Sequence, residues 1–448
     1  MSLNRQLIKK YKKVNLGEVS LPVCFHHAEG AYLYDQDGKN FLDFTSGYGV
    51  TSTGWLRKEM ANAIAEQLKR SAYAPPWLPT MEAIELSDLL LEITPPNLVK
   101  CARAIGGADA NEIIFKAVYG CSGKKGVISF YRSYHGGTHF TLNISDAETF
   151  GLPRLPAGEE FHFVNAPYCY RCPHGKKPDS CNLECTAVIE RLMLVEQDIG
   201  SFFVEPVIGS GGVIIPPKKY LKRIRELCDH YGVYLIFDEV LTGFGRTGAI
   251  TASELFDVHP DAISFAKGMS GGYTAIGAAV VNEPLADGIK KYEDVSATFA
   301  WTPLSCCIAK ANIELIIKDR LPQNAAELGS LLLQRLHFLF HQYLPDQTGD
   351  IRGLGLMLGI ELITDPVSKT PDKKLMQKFI IAALRQGLMV CASWDFQVII
   401  LMPPLNITAV EMEEGFHRIE ATLQQLSRMG EGIQTCSPAL QPVPLPHF

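Results

Sequence analysis

The sequence predicts an α/β protein: an open, mostly parallel sheet in a large domain, with a smaller α+β domain beside it. Three observations predict this. From about residue 58 to 320, apolar runs of strand length alternate with stretches of helical periodicity, the pattern of repeated β-α-β units. Two ionisable residues, Asp238 and Lys267, each follow such an apolar run and stand about one crossover of ~30 residues apart. From about residue 325 the alternation gives way to long helices and strand pairs. The expected division is a large domain over 56–322 and a small one built from 1–55 and 323–430, with a Pro-rich tail at 431–448.

Taken in order, Ala31 to Asp43 reads as a hairpin turning at Asp37-Gly38. Met81 to Leu91 has helical apolar spacing, and Gly126 to Phe130 is a short buried-type strand. Tyr220 to His230 reads as an amphipathic helix, followed by strands at Val233 to Phe237 and Ala262 to Ala266. In the small domain, helices are expected at Ala325 to Tyr343, Lys374 to Gln386 and Ala409 to Met429. A β-pair is expected around Gly353 to Leu362 and a strand at Gln397 to Met402. The tail from Gly430 has four prolines and no periodicity, so loose order is expected there.

Composition excludes several classes of function. With 448 residues, 47% of them hydrophobic, the chain can bury a large core. Its net charge of −6 is evenly mixed and offers no electrostatic footprint for nucleic acid or an anionic membrane. No run approaches the ~18 apolar residues that would span a bilayer, and the basic start lacks a secretory pattern. The expectation is a soluble cytoplasmic protein. The 12 cysteines are too sparse for a disulfide scaffold. Most, such as Cys24, Cys228 and Cys391, sit alone in apolar context and read as buried thiols.

Parallel sheets gather functional groups at the carboxyl ends of their strands, which is where Asp238 and Lys267 fall. A lysine amine can form an imine with an aldehyde cofactor, while an aspartate keeps the cofactor's pyridine nitrogen protonated. Singly, each residue is also explained as a helix-start lysine or a helix cap. Gly106 to Glu112 supplies small residues opening a helix, an arrangement suited to a phosphate. Tyr131 and Tyr134, after the Gly126 strand, offer a face to a planar ring, although core packing would use them equally well.

Eight stretches then agree in order over about residues 20 to 425. They are Gly30 to Gly38, Gly107 to Asn111, Tyr134-His135-Gly136, Glu205-Pro206, Asp238 to Gly248, Ala266-Lys267-Gly268, Arg352 to Gly355, and Pro403-Pro404-Leu405. On these the chain resembles the class III aminotransferases, fold-type I enzymes that use pyridoxal 5′-phosphate (PLP). The resemblance implies a PLP-dependent aminotransferase that moves an amino group between an amine or amino acid and an oxo acid. It implies that Lys267 carries PLP as a Schiff base and shuttles the substrate proton, and that Asp238 pairs with the pyridine nitrogen. Val240 and Tyr134 would cover the two ring faces, and Gly107 and Ala108 would donate backbone N–H groups to the phosphate. His135 and Glu205 belong to the same cofactor-binding set. Thr298 would reach the phosphate of a partner subunit, implying a homodimer with shared active sites.

Departures from the family pattern bear on substrate. Ser210 and Ile400 stand where members acting on ornithine or 4-aminobutyrate carry a glutamate and an arginine. Recognition of 2-oxoglutarate through such a pair is therefore not expected, with Arg132 and Arg57 as possible substitutes. The rival within the family is a PLP-dependent amino-acid racemase or epimerase, which shares Lys267, Asp238 and Tyr134. Ser210 at the position of a second acid/base group speaks against it. The Asp109-Ala110-Asn111 spelling speaks for it, discounted because the Asp109 side chain is expected to point away from the chemistry. An amine phospho-lyase and a non-catalytic PLP-binding regulator are more distant readings, the latter lacking room for a DNA-binding module. Trp55, Tyr73, Trp77 and Trp394 are candidate pocket residues, explained as well by packing. Finally, Cys169, Cys172, Cys181 and Cys185 are spaced C-x2-C-x8-C-x3-C. That spacing fits structural zinc, a disulfide or free thiols in a surface insertion, and does not choose among them; no metal site is assigned.

Overall fold

The computed structural model describes residues 2–16, 21–156, 160–292 and 296–431. Among these, the centre is a seven-stranded sheet. Its spatial order is Lys100–Ala104, Gly277–Val281, Ala262–Phe265, Tyr234–Asp238, Ile199–Val204, Gly126–Phe130, Phe161–Val164. Gly277–Val281 runs antiparallel to both neighbours, and the remaining pairs are parallel. The sheet is buried because its inner strands are apolar along their whole length: every residue of Ile199–Val204 and of Ala262–Phe265 is out of solvent. Alternation is lost in such strands, since helices cover both faces.

The helices that cover it follow from their spacing. Tyr220–Tyr231 buries Tyr220, Leu221, Ile224, Leu227 and Cys228 on one face and stops at Gly232, whose φ of +64° is left-handed. Gly107–Ser122 buries Ala110, Ile113, Ile114, Ala117 and Val118 in the same rhythm. The helix expected from Ala325 begins earlier, at Leu321. Pro322 lies in its first turn, where a missing N–H costs nothing, so the proline opens the helix rather than preceding it.

Two four-stranded sheets flank the centre. The hairpin Tyr32–Asp35 and Asn40–Asp43 pairs with Phe25–Glu29 on one side and, in parallel, with the short strand Leu388–Met389 on the other. The chain's beginning is thereby laced to its C-terminal third. Thr348–Leu354, Met357–Leu362, Val398–Leu401 and Cys391–Ala392 form the second. The last helix, Ala409–Glu431, packs against the helices Leu321–Tyr343 and Lys373–Arg385. The Pro-rich tail lies outside the described residues.

Candidate active site

The sheet's register decides what meets at its carboxyl edge. Tyr234–Asp238 and Ala262–Phe265 are adjacent and parallel, with Asp238 opposite Ser264. Asp238, the last residue of its strand, and Lys267, two residues past the end of the next, therefore open onto one cavity of about 400 Å³. Gly107, Ala108, Tyr134, His135, Glu205 and Val240 line the same cavity. Thr298 does not: it is exposed, beside Phe299.

Asp238 is held on both oxygens. Its Oδ2 accepts from Asn111 Nδ2 at 2.8 Å and faces His135 Nδ1 at 2.8 Å, and its Oδ1 accepts from the Val240 amide at 3.1 Å. Asn111 is fully buried and also donates to the His135 carbonyl. Lys267 sits in strained backbone, with φ +40°. Its Nζ lies 5.4 Å from the Tyr48 ring centroid. Burial lowers its proton affinity below that of an ordinary lysine, an effect that Glu205 and Asp238 partly offset. Burial pushes the Glu205 carboxyl up to about 7, although it accepts the amides of Tyr134 and Gly209 at 2.9 Å each.

The cavity fits PLP on its donors and on its shape. The 16-residue helix from Gly107 presents its N-terminal amides to the cavity, and such amides have no acceptor within the helix. A Cβ on Gly107 would lie 2.6 Å from Val240 Cγ2, so only glycine lets the helix start and Val240 wall the cavity together. Gly136 is demanded likewise: its φ is +139°, and a Cβ there would lie 2.5 Å from the Ala108 Cβ. The donor set is amides for a phosphate, a carboxylate for a ring nitrogen and an amine for an aldehyde.

Several expectations need correction. Tyr131 is exposed and packs on Phe163, not on the cavity. Of the tryptophans and Tyr73, only Trp394 borders Lys267. Trp55 donates to Asp43, and Trp77 is 78% exposed. Arg57 is held by Glu59 and Asp319, far from use as a carboxylate anchor. Asp109 turns back to accept the Ile105 amide, as expected of a side chain outside the chemistry. Cys391, read as a plain buried thiol, instead borders Lys267. Cys169, Cys172, Cys181 and Cys185 are free thiols around one small hollow. Among the described residues no group of three or more His, Cys, Asp or Glu is arranged to hold a metal. Asn111 and Tyr48 were missed as site residues. Asn111 stands four residues after Gly107, hence on the same helix face, and that spacing was a readable signal.

A profile described as aminotransferase class-III matches residues 14–423. The chain is 36% identical over 392 residues to an acetylornithine aminotransferase of Methanothermobacter thermautotrophicus, covering 88% of this chain and 91% of that one. It is 30% identical to a leucine/methionine racemase of Thermococcus litoralis, covering 95% and 97%. The ω-transaminase from Pseudomonas jessenii in complex with PMP superposes with a TM-score of 0.88 at 27% identity, covering 96% and 100%. The fold and site are those of a PLP-dependent enzyme of fold type I. The chain belongs to the class III aminotransferases, its cofactor is PLP and its reaction is amino transfer.

Proposed function

We propose that this aminotransferase works through Lys267, exchanging an amino group between an amine or amino acid and an oxo acid. What supports the reading above all is the juxtaposition of the Lys267 amine and the Asp238 carboxylate on neighbouring strand ends around one cavity. When bound, PLP draws electrons from the substrate's Cα and so acidifies its proton. With the group bound, Lys267, whose proton affinity is lowered by burial, would be the base that takes that proton and gives it back. Asp238, aimed by Asn111 and His135, would hold the pyridine nitrogen. Gly107 and Ala108 would hold the phosphate. Tyr134 and Val240 confine the ring, and Glu205 fixes the Tyr134 backbone.

The enzyme is read as a homodimer in which Thr298 completes the second subunit's phosphate site. Support comes from the exposed apolar surface around it, with Phe299 71% exposed and Tyr73 against it. No helix among the described residues is long and apolar enough to cross a membrane, and the cytoplasm is the proposed location. Racemisation requires a second acid/base group on the other substrate face, and the buried Ser210 at the cavity wall has no proton affinity for that task. The experiment is a half-reaction. Given an amino donor alone, the enzyme should convert its bound cofactor to the pyridoxamine form and stop. Production of the opposite enantiomer with the cofactor spectrum unchanged would establish the racemase instead.

A further inference from the structure

Beyond Lys267 lies a second chamber of about 420 Å³, which shares Tyr134, Ser210 and Lys267 with the cofactor cavity. Its other walls are Leu21, Tyr48, Ile380, Val390, Trp394 and Phe396, a predominantly apolar surface. Its uncharged polar groups include the Tyr48 hydroxyl, buried without a hydrogen-bond partner, and two groups that are already engaged. Ser393 Oγ donates to Asp395 and accepts the amides of Gln397 and Val398, while the Cys391 thiol points to the Ile400 carbonyl at 3.5 Å. Among the described residues, the charged side chain in the lining is Lys267 itself.

Two arginines stand behind these walls, and both are committed elsewhere. Arg132 Nη2 meets the buried Asp395 at 2.5 Å, and its Nε donates to the Gly211 carbonyl. Arg352 donates to the carbonyls of Gly212 and Val213 and pairs with Asp350 at 2.7 Å. Neither lines the chamber. Asp395 lies between Trp394 and Phe396, so Arg132 fastens the loop that carries the aromatic wall. The same loop is held again by the Trp394 amide on the Ser210 carbonyl at 3.1 Å. The Trp394 ring is wedged between Tyr134 at 4.7 Å and Phe150 at 5.2 Å. Among the described residues, a chamber so walled and so braced offers a substrate side group dispersion contacts and no counter-ion.

Resting on the aminotransferase reading above, we infer that the amino donor carries a neutral apolar side group, aliphatic or aromatic, and that donors bearing a second carboxylate or ammonium are excluded. A charged group buried without a partner is disfavoured strongly enough to slow turnover by about 100-fold or more. The test uses the wild-type holoenzyme in single-turnover reactions with leucine, phenylalanine, glutamate and ornithine. Their α-carboxylate is common and cancels in the ratios. Two signals are read for each: conversion of the bound cofactor, and exchange of the Cα proton in deuterated water. The expected result is conversion with leucine or phenylalanine at least about 100-fold more efficient than with glutamate or ornithine. Glutamate or ornithine matching the apolar donors overturns the inference, and so does an apolar pair that neither converts nor exchanges. Exchange of leucine without conversion keeps the substrate class and sinks the transaminase reading, so the two failures are separable.

Discussion

Replacing Asn111 with leucine, a side chain of similar size, probes how the site holds its carboxylate. Asn111 is fully buried and gives both protons of its amide nitrogen away, to Asp238 Oδ2 at 2.8 Å and to the His135 carbonyl at 2.9 Å. Its own Oδ1 has no hydrogen-bond partner, so leucine removes two donors and strands no partner of that oxygen. A hydrogen bond to a charged group contributes about 1.5–3 kcal/mol, and one to a neutral carbonyl about 0.5–1.5 kcal/mol. The first figure bears on the chemistry, since the proposed role of Asp238 is to partner the ring nitrogen. At about 1.4 kcal/mol per tenfold, Asn111→Leu should lower the donor half-reaction by roughly 10- to 150-fold at saturating PLP. The assay is stopped-flow conversion of the bound cofactor, beside a circular-dichroism spectrum that confirms an intact fold. A folded, PLP-saturated variant with the wild-type rate would refute the claim that Asn111 positions Asp238.

Four further outcomes are expected. Lys267→Ala should abolish turnover while the fold persists, and residual activity within about tenfold of wild type would end the proposed role. Gly107→Ala brings a methyl to 2.6 Å from Val240 Cγ2 and should weaken PLP retention by about 10- to 100-fold in a fluorescence titration, overpacking costing about 1–3 kcal/mol. Thr298→Ala should weaken PLP retention by about 10-fold or more without dissociating the dimer, and unchanged retention would rule out a shared phosphate site. Burial pushes Glu239 up to about 7, above its unfolded value, so its protonated form stabilises the fold at low pH. That contribution fades as pH rises from about 4.5 through 7. In urea titrations of the apoenzyme, wild type should therefore lose stability relative to Glu239→Gln between pH 5 and pH 8, and a constant difference would contradict the assignment.

The parts of the fold legible in the sequence were those where one residue pattern has one physical use. Val233 to Phe237 is too short for a helix and too apolar for the surface, and Gly232 marks its start. The edge strand Lys100–Ala104 was not legible, because a charged, half-buried pentapeptide resembles a loop until Gly277–Val281 pairs with it. The parallel partnership of Leu42 with Leu388 was equally hidden, since two-residue strands carry no periodicity. In the site, the residues that line the cofactor cavity, among them Gly107, Tyr134, Glu205, Asp238 and Lys267, could be picked out one at a time from the motifs. Tyr48 and Cys391 could not. They reach Lys267 from opposite ends of the chain through tertiary packing, which no local spacing encodes.

The same packing explains how a strained lysine persists at the centre of the site. A non-glycine residue at φ +40° costs on the order of 1–3 kcal/mol and relaxes unless its neighbours forbid it. Here they do. The Met269 amide is tied to the Ala266 carbonyl at 2.8 Å, and the Ser270 amide to the Lys267 carbonyl at 3.3 Å. The fully buried Asn312 donates to the carbonyl of Gly268 at 2.7 Å, and Thr53 bonds to its other end at 2.8 Å. Gly268 leaves room for Ser52, whose Oγ would lie 2.9 Å from any added Cβ. The turn that projects Lys267 is thus anchored on a helix and a loop that both lie outside the sheet. Cutting one anchor with Asn312→Ala should free the turn and reduce the donor half-reaction, with PLP affinity less affected, because the phosphate and pyridine contacts lie on other elements. Equal losses in both would show that Asn312 supports the fold at large rather than the lysine turn.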